Sequence, residues 1–219
     1  HHADAIFDAH TFTEKDKEQM DRDGHFIFPE LLTPTAREHL IQSLGHIQSL
    51  QSKAVKGHEP NRFSAEYDNY LESLIGHRQM LELVLKVLGP EIRYDHCVAL
   101  NRPSENQGSR WHSHKYAEDD LSLGFIRIFF YVNGFEVDDG GLKVVPGSHL
   151  RPDLPGEVRR FPARPIPGPD YGAAKSPESL ERIGLEYCRS MPGFFRAHLN
   201  PGDFMLYRNS LWHMGNYSP

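Results

Sequence analysis

Two histidines on separate predicted strands could hold a metal: one in Trp111-His112-Ser113-His114, and His213, which follows a Gly202-Asp203 turn. Imidazole is the commonest protein ligand for iron, zinc, copper and nickel. Donors carried on separate predicted strands converge only if those strands enclose a common interior. The pattern therefore points to a metal inside a β-barrel, with Asp203 fixing the turn that leads into the distal strand. A second turn, Val145-Pro146-Gly147-Ser148-His149, reads as backbone geometry, with His149 in a structural role.

The elements that must position these residues change character along the chain. The first third reads as helical. Thr13 and the acids after it start a helix that Gly24 stops, and His25-Phe26-Ile27-Phe28 is a short strand. Thr33 caps a second helix with Pro34 in its first turn, and Leu40, Ile41, Leu44, Ile47 and Leu50 form its apolar stripe. A third helix is expected over about 70–88, ended by Gly89-Pro90, with a polar loop over 53–69 expected to cover the barrel mouth. From Ile92 the period becomes two, in segments near 92–101, 109–115, 124–133, 141–145, 194–199, 203–208 and 211–216. The proline-rich stretch 151–189 interrupts them as an insertion over one opening.

The 124–133 strand has two faces of different kind. Ile126, Ile128, Phe130 and Val132 make an apolar face suited to packing, while Arg127, Phe129, Tyr131 and Asn133 point the other way. One cation, two aromatics and an amide suit a ligand-binding interior; an ordinary solvated sheet face is the alternative. His96 and Cys97 are neighbours, so only one of them can face inward, and Asn101 ends that strand within reach of a ligand or of solvent. His10, His25, His39, His46, His58 and His77 need no explanation beyond composition.

Composition limits the function classes. The 219 residues are 38% hydrophobic and 25% charged, the balance of one globular domain. A net charge of −6 with interspersed signs gives no basic stripe for nucleic acid or an anionic membrane. No apolar run is long enough to span a membrane, and no leader is expected before the first helix. Cys97 and Cys188 are distant and in unlike contexts, which fits reduced thiols in the cytoplasm.

Taken in order, Trp111-His112, the run from Asp138 to His149 and Pro201-Gly202-Asp203 before His213-Met214-Gly215-Asn216-Tyr217-Ser218 resemble the phytanoyl-CoA dioxygenase family of non-haem Fe(II) and 2-oxoglutarate oxygenases. The resemblance implies a mainly β fold with N-terminal helices, a double-stranded β-helix (a cupin-like jelly-roll barrel). It frames residues 1–219 as a single domain, with 1–90 as helical support and 91–219 as the barrel. It implies Fe(II) and 2-oxoglutarate as cofactors, with oxygen and a small-molecule substrate as partners. By position, His112 and His213 are metal ligands, and Arg127, Asn101 and Tyr131 are the in-chain candidates for co-substrate binding.

Two departures leave alternatives open. His114 stands where the family has an aspartate. It could itself ligate, giving a three-histidine site; an acid among Glu118, Asp119 and Asp120 could replace the carboxylate; or the site could be degenerate. The family's co-substrate arginine follows the distal histidine by about a strand, so it is expected in residues beyond Pro219, with Arg127 as the in-chain substitute. The leading expectation is an oxygenase that hydroxylates a small organic molecule. A non-catalytic metal- or ligand-binding jelly roll, or a three-histidine cupin-type enzyme without 2-oxoglutarate, are the alternatives.

Overall fold

The computed structural model describes residues 4–101, 124–134, 142–150, 195–197, 199–208, 210–211 and 213–215. In chain order the described elements are α1 (Glu14–Asp23), β1 (His25–Phe28), α2 (Pro34–Gln51), α3 (Asn69–Ile75), α4 (Arg78–Leu88), β2 (Ile126–Phe130), β3 (Leu142–Val144), β4 (Phe195–Arg196), β5 (Phe204–Arg208) and β6 (His213–Gly215). The chain divides into two compact units: His1–Thr13 with Glu30–Arg102, and Glu14–Pro29 with Pro103–Pro219. Among the described residues helix outweighs strand, and the strands form two small antiparallel sheets.

In the first unit, the Thr33 hydroxyl accepts a hydrogen bond from the Ala36 N–H at 3.1 Å, and Pro34 occupies the first turn of α2 as expected. Ala36, Leu40, Ser43 and Ile47 form the buried stripe of that helix. The helix expected over 70–88 is two helices. Gly76 leaves the helical conformation after Ile75, and His77 is extended, with its Nδ1 accepting from the Gln79 N–H at 3.3 Å to cap α4. Leu71 and Leu74 of α3 and Met80, Leu83 and Val87 of α4 are all buried, so apolar spacing ran through the break unmarked.

Residues 92–101 do not form the expected strand; they run beside the 61–64 loop, where the Ser64 N–H bonds to the Cys97 carbonyl at 2.9 Å and the Ala99 N–H to the Asn61 carbonyl at 2.8 Å. Two isolated bonds do not make a ladder, and alternation alone does not supply a partner strand. The 53–69 loop carries a short 3₁₀ turn at Ser64–Glu66. The expected 109–115 strand and the 151–189 insertion lie outside the described residues.

In the second unit, one sheet runs in the order β1-β5-β2 and the other in the order β4-β3-β6. The strands expected near 124–133, 141–145, 194–199, 203–208 and 211–216 correspond to β2 through β6, each shorter than read. Register places His25, Tyr207 and Arg127 in one row across the first sheet and Ile27, Met205 and Phe129 in the next. Tyr131, Met205 and Tyr207 share one core cluster with Leu142, Val144, Ala197, Leu199 and Leu211, and Ile27 and Phe129 pack against it. That face of the first sheet therefore looks onto the second. The other face carries Phe28, Phe204 and Phe130, with Phe204 packed edge-on against Phe28 at 5.9 Å and Phe130 at 5.2 Å.

Two turns hold these strands in register. The Tyr131 N–H bonds to the Asp203 carbonyl at 3.0 Å, the Gly202 N–H bonds to the Tyr131 carbonyl at 2.9 Å, and the Asp203 carboxylate accepts from the Asn200 N–H at 2.7 Å. Gly134 nests against this turn at φ 70°, where a Cβ would stand 2.6 Å from the Pro201 backbone nitrogen. At the other turn, Gly24 ends α1 at φ 80° and packs under the His149 ring, where a Cβ would come within 2.5 Å of Nδ1 and 2.8 Å of Leu211 Cδ1. His149 itself donates from Nε2 to the Asp21 carbonyl at 2.9 Å, which bears out its structural reading.

Replacing Gly24 with Ala combines a left-handed backbone with a steric clash and should destabilise the protein by about 2–3 kcal/mol in chemical unfolding. Gly57 has a similar φ of 89° and open space around it, so Gly57→Ala should cost only about 1 kcal/mol.

Burial holds the imidazoles of His25 and His149 below their ordinary value of 6.5. The unfolded chain therefore takes up protons first as pH falls through about 6.5, and their contribution to stability is lost below it. Unfolding free energy should decline from pH 7.5 to pH 5.5, and His149→Gln should flatten that slope.

Candidate metal centre

The described residues of the candidate site lie on the inner faces of the two sheets. His213 opens β6 and is the register partner of Val144, which is fully buried in the core cluster. Register partners in an antiparallel pair share a face, so His213 points into the core. Its ring centroid lies 5.1 Å from that of Tyr207, and the residue is 4% exposed.

The protonation pattern of that ring follows from one contact. His213 Nδ1 lies 2.7 Å from the Leu211 carbonyl oxygen. A carbonyl only accepts, so Nδ1 carries the proton, and the neutral ring has its lone pair on Nε2. A backbone acceptor on one ring nitrogen is the usual arrangement for a histidine that binds a metal through the other.

Arg127 lies beside Tyr207 on the same inward face, as the two-faced reading of its strand expects. Phe129 stacks on Tyr207 with centroids 5.3 Å apart and planes 14° apart. Tyr131 continues past β2 into the core cluster, 5.6 Å from Phe129 by ring centroid. Among the described residues the interior here combines aromatic walls with the guanidinium of Arg127 and the imidazoles of His25 and His213. Asn101 belongs to the first unit, where its amide donates to Gln48 Oε1 at 2.8 Å.

His112, His114, Glu118, Asp119, Asp120 and Trp111 lie outside the described residues. Among the described residues, no three His, Cys, Asp or Glu side chains converge in a metal-binding group. No described helix is long and apolar enough to cross a membrane.

Sequence reasoning gave His25 no role, yet it is buried and shares the inward row of Tyr207 and Arg127. Its Nδ1 faces the Asp23 carbonyl at 3.4 Å. The usable signal was period two: His25 precedes the inward Ile27 by one alternation. His77, also passed over, is a helix cap. In the first unit, His39, His46, Tyr67 and Tyr70 line an open groove around Asp68. That carboxylate is taken up by His46, Ser43 and the first amides of α3, so the groove is a structural junction.

Solved structures of several known proteins resemble this fold. SnoK, a non-haem α-ketoglutarate-dependent carbocyclase from nogalamycin biosynthesis, is 15% identical; the match covers 94% of this chain and 78% of that one, with a TM-score of 0.62. HygX from Streptomyces hygroscopicus, crystallised with nickel and 2-oxoglutarate, is 15% identical over 95% of this chain and 82% of its own, with a TM-score of 0.64. The epimerase SnoN, in complex with Fe3+, α-ketoglutarate and nogalamycin RO, is 17% identical over 93% of this chain and 77% of that one, with a TM-score of 0.53. At these identities the likeness is one of fold. No curated protein matches the chain in sequence. The model of the phytanoyl-CoA dioxygenase family, whose members use Fe(II) and 2-oxoglutarate, matches residues 10–217. The chain therefore belongs to the phytanoyl-CoA dioxygenase family.

Proposed function

We propose that this protein is an Fe(II)- and 2-oxoglutarate-dependent oxygenase that hydroxylates a small organic molecule, with His112, His114 and His213 as the metal ligands. The observation that carries this reading is the buried His213, whose Nδ1–H is committed to the Leu211 carbonyl at 2.7 Å. A ring held in that tautomer is a neutral donor through Nε2, which suits a divalent transition metal. When bound, Fe(II) would let O2 oxidise a substrate and 2-oxoglutarate together, one oxygen atom converting a C–H bond to C–OH and the other entering succinate as the co-substrate loses carbon dioxide.

The chain's own residues supply position and environment. His114 in place of the family's aspartate makes the donor set all imidazole and removes one negative charge from it. Arg127, on the inward face beside Tyr207, presents a guanidinium whose fork matches a carboxylate of 2-oxoglutarate, with Tyr131 further along the same face. Phe129 and Tyr207 exclude water around these polar groups, which strengthens each electrostatic contact. We place the protein in the cytoplasm as a single domain, the two sheets being the described part of a jelly roll.

The stacked Phe129–Tyr207 pair favours a second reading, because aromatics that fill the interior also suit a jelly roll that binds a ligand without turnover. The two readings separate on anaerobic titration of Fe(II)-loaded protein with 2-oxoglutarate. A saturable visible charge-transfer band is expected, and its absence with iron bound would favour the binding protein or a three-histidine enzyme that does not use 2-oxoglutarate. Arg127→Ala should weaken 2-oxoglutarate about 10- to 100-fold in the same titration, the usual cost of a charge-assisted contact. His213→Ala should abolish iron binding, measured by metal content after desalting.

A further inference from the structure

The C-terminus of α1, the Pro146–His149 turn and the end of β5 meet in one hydrogen-bonded knot. His149 Nε2 donates to the Asp21 carbonyl at 2.9 Å, and the Gly147 N–H donates to the Asp23 carbonyl at 2.9 Å. Across the same turn, the Arg208 N–H donates to the Gly24 carbonyl at 2.7 Å, and Arg208 Nη2 donates to Asp21 Oδ1 at 2.6 Å. From Arg208 the contacts continue toward the candidate ligand. The Leu211 N–H bonds to the Arg208 carbonyl at 2.9 Å, and the Leu211 carbonyl accepts from His213 Nδ1 at 2.7 Å.

The packing runs along the same path. Leu211 is fully buried, and its Cδ1 and the His149 ring both press on Gly24. His149 Nδ1 is itself buried, with no hydrogen-bond partner among the described residues. An orphaned polar atom persists where the surroundings fix the ring for another reason. Here that reason is the Nε2 contact to Asp21 and the close approach to Gly24. The carboxylate of Asp21 is half-exposed and bridges Arg208 and Lys17, so its two partners can be tested separately.

We propose that Asp21 and His149 are positioning residues for the metal centre: they fix Arg208, and through it the Leu211 carbonyl that sets the tautomer and aim of His213. The inference rests on His213 being a metal ligand. It assigns a task to the α1 terminus and the Pro-Gly-Ser-His turn, neither of which supplies a metal donor in this account. A ligand whose outer partner is disturbed loses metal affinity by about 10- to 100-fold in general, and a partner one link further out should fall at the lower end.

The test uses Co(II), whose visible d–d bands report the geometry of its donors, titrated into the whole protein with thermal melting run alongside. Asp21→Asn should lower Co(II) affinity about tenfold and shift the d–d bands, while Lys17→Ala, which removes the other partner of the same carboxylate, should leave both unchanged. His149→Gln, which keeps a donor toward Asp21, should retain more affinity than His149→Leu. Equal losses in Asp21→Asn and Lys17→Ala would overturn the proposal, since the effect would then be one of helix stability. Unchanged affinity and bands in Asp21→Asn and His149→Leu, with binding abolished in His213→Ala, would overturn it while leaving the ligand assignment standing. Full Co(II) binding in His213→Ala would overturn both.

Discussion

The register of β5 is the constraint on which the described site depends. The strand is central in its sheet, paired on both sides, and Phe204 through Tyr207 are fully buried. Side chains on a strand alternate, so a slip of one residue against β1 or β2 would send Tyr207 and Met205 to the outer face and bring Leu206 and Phe204 inward. The Tyr207 ring tilted against His213 would be lost, and the inward row that contains Arg127 would be broken. Turns at both ends of β5 prevent that slip. Asp203 closes the turn before it, and Arg208 is anchored to Gly24 and Asp21 after it.

The legible parts of the fold were those in which local chemistry and long-range packing agree. Thr33-Pro34 specified the start of α2 by a cap whose geometry depends on a few residues. The two-faced strand around Arg127 was readable because one side is wholly apolar and the other mixed, a difference that survives any uncertainty in its ends. The break at Gly76-His77 was hidden because both resulting helices bury residues at the spacing one continuous helix would show. The strand read over 92–101 failed for the opposite reason. Its alternation is real, but a strand is a relation between two segments, and among the described residues its neighbour over 61–64 offers two backbone bonds and the Ser64 hydroxyl, not a ladder.

The site was legible in its residue types more than in their support. His213 was singled out because a histidine after a Gly-Asp turn on a strand is chemically unusual, and Arg127 because a cation on an aromatic face is. The carbonyl of Leu211 carries no sequence signal, since every residue has one; only the folded turn shows which carbonyl meets the ring. The same holds for Asp21, an ordinary acid on a polar helix until Arg208 is brought to it from far along the chain. Burial raises its proton affinity, but hydrogen bonds from Lys17 and Arg208 outweigh that and hold the carboxyl below its ordinary value. It therefore stays charged throughout the neutral range.

Gly134 has a consequence for how such a protein can diversify. A side chain there would collide with main-chain atoms of Asn200 and Pro201, which cannot rotate away as a neighbouring side chain could. The two turns at that end are thus interlocked, and an insertion or a bulkier residue in either must displace the other. New substrate preferences are cheaper to acquire in loops free of this interlock, so this edge of the molecule is a fixed hub around which the rest can change.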